Sequence, residues 1–183
     1  MKRESESSKF PIGSILPKFS LKATDGKIVS SESINIEKGL LIVFTCNHCP
    51  YVKGSEDALI KLTERYSKEG LSVFTINSND PIKYPDDNFE KMKEKSEVME
   101  LPYAYLFDET QNAARLFDAA CTPECFLFSK DRKLVFHGAI NDNPMNPGGV
   151  KERYLQVAIE DLLAGKSIRL PYAHPVGCSI KWS

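Results

Sequence analysis

Apolar positions in this chain fall into two patterns. Residues 40–45 form an almost unbroken apolar run, and residues 71–76 are mostly apolar. Runs of this kind predict strands in the middle of a sheet that is covered on both faces. Between them, 51–69 places Val52, Leu59, Leu62 and Tyr66 at helical spacing, and Gly70 follows as a stop signal. Strand, helix and strand in that order predict a parallel pair joined by a right-handed crossover.

The rest of the chain adds shorter elements. Residues 19–23 and 28–29 flank Asp25-Gly26 and predict an N-terminal hairpin. Residues 81–87 read as loop, 89–99 as a helix with a solvated Lys/Glu face, 103–107 as a strand and 110–119 as a short helix. Two apolar triplets, 126–128 and 134–136, border a polar turn and predict an antiparallel hairpin. After a Pro- and Gly-containing loop at 141–149, Val150, Tyr154, Ala158 and Leu162 recur every four residues, which predicts an amphipathic helix ended by Gly165. Residues 1–9 are Ser- and Glu-rich and predict a disordered tail, and 10–183 predict one domain. The stretch from Gly177 to Trp182 carries the single tryptophan and is expected to pack on the domain with the indole as its anchor.

Composition narrows the functional classes. A formal net charge of -1 gives no electrostatic case for nucleic acid or an anionic membrane as the main partner. No apolar run approaches the roughly 20 residues of a membrane helix. The polar first residues lack the apolar core of a secretory signal, so a cytoplasmic location is expected. The five cysteines are odd in number and scattered, unlike a secreted disulfide framework.

Two of them carry the clearest chemistry. Cys46-Asn47-His48-Cys49-Pro50 follows the first buried run and precedes the first helix. Two thiols with two residues between them can close a small disulfide ring or share a metal ion. At a helix start the unpaired N–H groups and the dipole favour a thiolate, the species that performs thiol–disulfide exchange.

The motif, the βαβ unit, the hairpin and the final helix together resemble the thioredoxin fold: α/β, a central mixed sheet flanked by helices, here with an N-terminal β-hairpin extension. Cys121-Thr122-Pro123-Glu124-Cys125 stands where that fold opens its hairpin with a proline, usually cis, facing the C-x-x-C. Glu124 and Phe126-Leu127 look like the reductases that assist cytochrome maturation. Residues 13–27 resemble the opening of peroxiredoxins. With Gly177-Cys178-Ser179-Ile180-Lys181-Trp182, the whole is similar to a bacterial peroxiredoxin-like subgroup related to alkyl hydroperoxide reductase and thiol-specific antioxidant proteins.

The resemblance implies an enzyme, a thiol–disulfide oxidoreductase cycling between a Cys46–Cys49 dithiol and disulfide. Cys46 would be the exposed nucleophile and Cys49 the buried resolving thiol. His48 would stabilise the Cys46 thiolate and make the pair more oxidising than thioredoxin. Pro123 would be cis, leaving the Thr122 backbone free to pair with a substrate chain. Glu124 is expected at the strand surface, as a substrate contact or proton acceptor for Cys49. Cys121 and Cys178 are candidate extra redox thiols, and Cys125 a buried structural one. The expected partners are a disulfide-bearing protein or small molecule and an electron-donor thiol, protein or small, with no bound cofactor or resident metal.

The pattern also departs from its relatives. Leu40 stands where thioredoxin has a buried acid. Val43 precedes Cys46 by three residues, where peroxiredoxins place Thr or Ser. The alternatives are a thiol peroxidase and, in another class, a copper- or zinc-binding module built on Cys46 and Cys49.

Overall fold

The computed structural model describes residues 9–183. The predicted tail therefore lies outside the described residues, except for Lys9, whose backbone N–H donates to the Asp118 carboxylate at 3.0 Å. In chain order the elements are β1 (Ser20–Ala23), β2 (Ile28–Ser30), β3 (Gly39–Phe44), α1 (Pro50–Tyr66), β4 (Leu71–Asn77), α2 (Phe89–Val98), β5 (Ala104–Phe107), α3 (Asn112–Leu116), β6 (Cys121–Thr122), β7 (Glu124–Ser129), β8 (Leu134–Gly138), α4 (Tyr154–Leu163), β9 (Tyr172–Ala173) and β10 (Cys178–Ser179).

Every residue of β3 is buried, as its unbroken apolar run requires. β3 pairs in parallel with β4 and antiparallel with β7. The full sheet runs β2-β1-β5-β4-β3-β7-β8-β9. This mixed sheet with helices on its faces is the thioredoxin fold. The N-terminal hairpin β1–β2 joins it through β5. β10 pairs instead with β6, as a separate two-stranded sheet.

Alternation along β3 divides the core. Leu40, Ile42 and Phe44 join a phenylalanine-rich cluster on one face. Leu41 and Val43 meet Leu59 and Leu62 of α1 and Leu155 and Ile159 of α4 on the other. In the first cluster the Phe117 ring centroid lies 5.4, 5.2 and 5.2 Å from those of Phe10, Phe44 and Phe126. These edge and tilted contacts add to the burial of a large side chain.

Some boundaries differ from those expected. α4 begins at Tyr154 rather than Val150, because Pro147–Gly149 forms a 3-10 turn and Arg153 is not helical. α3 ends at Leu116, and Asp118 turns to φ 52°. Residues 177–182 do pack on the domain, but Ile180 is the anchor at 3% exposure while Trp182 remains 40% exposed beneath Arg115.

Removing the ring at the centre of the aromatic cluster leaves a cavity that stiff neighbours cannot fill. Phe117→Ala is expected to destabilise the protein by about 3–5 kcal/mol in urea unfolding, with an unchanged m-value. A loss below about 1 kcal/mol would mean that the cluster is loosely packed.

Candidate redox site

The site forms where β3 ends and α1 begins. Thr45 N–H still donates to Ile76 O at 2.8 Å, and the chain then turns out of the sheet through Cys46, Asn47 and His48. Cys49 is the N-cap of α1, and Pro50 occupies the first helical turn, where its missing N–H costs nothing.

Asp87 holds this turn in place. Its carboxylate is fully buried and accepts Asn47 N–H at 2.7 Å and Asn79 Nδ2 at 2.8 Å, with His48 Nδ1 against its second oxygen. Without these donors a buried carboxylate would cost several kcal/mol, so the turn and the acid require each other. Tyr105 Oη donates to Asn47 Oδ1 at 2.9 Å, and the His48 ring lies nearly parallel to that of Tyr84. Asp87 lies in a stretch that reads as loop from the sequence, with no motif to single it out. It supplies the carboxylate that acts on Cys46, where Leu40 supplies none.

Thr122–Pro123 is a cis peptide, and Thr122 faces both sulfurs. Its hydroxyl is 3.5 Å from Cys46 Sγ, and its carbonyl oxygen accepts from the Cys49 thiol at 3.3 Å. Both cysteines are completely buried, in contrast to the expected exposure of Cys46. Cys49 is pulled below the ordinary thiol range, first by the S–H of Cys46, with help from the Cys178 thiol and backbone N–H groups, and against the cost of burial. Cys46 is pushed far above the ordinary thiol range by its hydrogen bond to Cys49, by burial and by the Asp87 charge.

The remaining candidates divide clearly. Glu124 is not at the surface: it is 2% exposed and bonds His137 Nε2 at 2.6 Å, Ala120 N–H at 2.7 Å and Cys121 N–H at 3.1 Å. With both oxygens engaged, it holds the backbone before Pro123 and does not face a substrate. His137, which carries no motif, is the partner that makes this burial possible. Cys125 is buried in the core, where desolvation keeps it a thiol. Cys121 is pushed up to about 12, mainly by burial. Cys178 packs against the Cys46–Cys49–Val52 cluster. The Thr122 backbone is not free, because β10 pairs with it, Cys178 opposite Thr122. The loop at 141–149 packs against Gly54 of α1. The end of β4 borders the site through Asn79.

Cys46, His48 and Asp87 also bring a sulfur, a nitrogen and an oxygen within 4.8 Å of one another. Such a set could hold a zinc ion. This differs from the expected metal pair of Cys46 and Cys49.

Fold and sulfur chemistry together define a peroxiredoxin-like thiol protein of the thioredoxin class. The chain belongs to the AhpC/TSA family, whose model matches residues 12–137. An uncharacterized conserved protein from Geobacillus kaustophilus is 39% identical, with a TM-score of 0.91 over 96% of this chain and 95% of that one. A hypothetical protein from Sinorhizobium meliloti is 31% identical, with a TM-score of 0.88 over 96% of each. The thioredoxin domain of a thiol-disulfide oxidoreductase from Bacteroides vulgatus shares the fold, at 16% identity and a TM-score of 0.61 over 75% of this chain and 94% of that one. No curated protein matches the chain.

A lowered Cys49 thiol has a direct optical consequence. The reduced protein should keep thiolate absorbance at pH values below the ordinary thiol range, lose it as pH falls further, and lose this step in Cys49→Ser. A single step in the ordinary thiol range of about 8–9, unaffected by that substitution, would contradict the assignment of charge.

Proposed function

We propose that this protein is a thiol–disulfide oxidoreductase that cycles between the Cys46–Cys49 dithiol and disulfide. The observation that carries the reading is the geometry of the pair: two buried thiols of one C-x-x-C, with the Thr122 hydroxyl 3.5 Å from Cys46 Sγ and the Thr122 carbonyl 3.3 Å from Cys49 Sγ. Cys46 is the attacking sulfur. It precedes the helix, and its neighbours Asn47 and His48 line an open groove with Lys53, Lys95 and Met99. Cys49 is enclosed between Cys46, Thr122 and Cys178.

The Cys46 thiolate attacks one sulfur of a substrate disulfide. The substrate S–S bond breaks, a mixed disulfide forms at Cys46, and the leaving sulfur departs as a thiolate that takes the proton of the Cys49 thiol. The Cys49 thiolate then attacks Cys46, closing the Cys46–Cys49 bond and releasing the second substrate sulfur as a thiolate, which takes a proton from solvent in place of the one Cys46 gave up on ionising. The substrate gains two electrons and two protons, and a donor thiol must reduce the protein again. His48, engaged with Asp87, would orient the turn and bring positive charge near Cys46 when protonated. The substrate would be a protein or small-molecule disulfide. A reducing compartment such as the cytoplasm would supply the thiol donor that this cycle needs.

Membership of the AhpC/TSA family supports a second reading, a thiol peroxidase in which Cys46 is oxidised to a sulfenic acid and Cys49 resolves it. Val43 gives no hydroxyl at the position where peroxiredoxins have one. The Thr122 hydroxyl, 3.5 Å from Cys46, is the one in contact.

The two readings separate in one assay with a shared thiol donor. Protein-disulfide reduction should exceed peroxide consumption, Cys46→Ser should abolish turnover, and Cys49→Ser should accumulate a mixed disulfide at Cys46. Peroxide consumption without disulfide reduction would favour the peroxidase. A mixed disulfide on Cys49 in Cys46→Ser, with none on Cys46 in Cys49→Ser, would reverse the order of attack.

A further inference from the structure

β10 is an unusual neighbour for a redox pair. It lies antiparallel on β6 in the register Cys178↔Thr122 and Ser179↔Cys121. This covers the backbone beside Pro123 on which a substrate chain was expected to add as a strand. The approach is close: a Cβ on Gly177 would stand 2.0 Å from Thr122 O, so glycine is required there. Downstream the segment is fixed. Ile180 is buried, and Lys181 O accepts from Asp80 N–H at 2.8 Å and from Gln111 Nε2 at 2.8 Å. Upstream, Val176 is exposed. Cys178 is therefore held on the site at one end of a segment that opens to solvent at the other.

Three sulfurs gather in one cluster. Cys178 packs against Cys46, Cys49 and Val52, and Cys49 interacts with both other thiols. Cys46 and Cys49 are fully buried, and Cys178 is half-buried. An electron donor thus finds the most accessible sulfur of the three at Cys178. We infer that Cys178 is the donor-side thiol of a three-sulfur relay, Cys46–Cys49–Cys178, and that β10 keeps it there by occupying the Thr122 edge.

The relay rests on the thiol–disulfide reading above and extends it to recycling. In the oxidised protein the Cys178 thiolate attacks Cys49 Sγ. The Cys46–Cys49 bond breaks, the Cys49–Cys178 bond forms, and the proton lost by Cys178 ends on Cys46. This step is an exchange with no net change of redox state. A donor thiolate then attacks Cys178 Sγ and releases the Cys49 thiolate. The donor's second thiol closes the donor disulfide and frees Cys178 as a thiol, so the donor loses the two electrons that the protein gains. The resting thiol at Cys178 is held up to about 11 by burial and by Cys49. Oxidation of Cys49 removes its negative charge, so the thiolate at Cys178 becomes easier to form when it is needed.

The test uses the full chain. Cys46→Ser, oxidised with diamide and mapped by peptide mass spectrometry, should form an intramolecular Cys49–Cys178 disulfide as its main product. Adding Gly177→Ala, which forces β10 away from Thr122, should reduce that yield. In steady-state disulfide reduction with a dithiol donor, Cys178→Ser should slow recycling at least about tenfold. A Cys46→Ser protein in which Cys49 stays a thiol or pairs elsewhere would overturn the relay, as would donor recycling at the wild-type rate in Cys178→Ser. Failure of pre-reduced wild-type protein to reduce any disulfide in a single turnover would instead overturn the underlying reading. The Cys49–Cys178 cross-link is read independently of that result.

Discussion

Two fully buried sulfurs packed against Thr122 are the constraint to which the rest of the site answers. A lone buried thiolate would be costly in this environment, and two would be prohibitive. The S–H of Cys46 favours an anion on Cys49 when one forms, and the N-cap position, the Cys178 thiol and nearby N–H groups add to it. The Asp87 charge acts in the same direction by discouraging ionisation of Cys46. That carboxylate is itself held by Asn47 N–H and Asn79, so the turn that positions the sulfurs and the charge that polarises them are one structure.

The sheet supplies the rigidity this arrangement needs. β3 is packed on both faces and ends at Phe44, two residues before Cys46. β7 pairs with it so that Phe44 faces Glu124. Glu124, buried against His137, ties down the backbone of residues 120 and 121 just before Thr122 and Pro123. Motion of either strand end would move one side of the sulfur pair against the other. The phenylalanine cluster around Phe117 lies under both strands, which connects core packing to the geometry of the site.

Much of this was legible in the chain. The apolar run at 40–45, the helical spacing after it, the C-x-x-C between them and the Thr-Pro pair placed the fold and the two facing halves of the site. Local chemistry and period were sufficient there. What escaped depends on long-range partners. Asp87 reads as a loop acid because its donors are Asn47, His48 and Asn79, brought together only by the fold. Glu124 reads as a surface residue because nothing local announces that His137 and two N–H groups will satisfy it. β6 and β10 have two residues each, too few for a periodic signal, so the occupation of the Thr122 edge could not be seen.

The central claim is that Cys46 and Cys49 form a reversible two-electron pair. A redox titration of the protein in glutathione buffers, quenched and mapped by peptide mass spectrometry, tests it most directly. The account predicts one two-electron transition in which loss of free Cys46 and Cys49 coincides with the appearance of a disulfide joining them, while Cys125 remains a thiol throughout. Oxidation of Cys46 alone, to a sulfenic acid or a stable glutathione adduct with Cys49 still free, would contradict it.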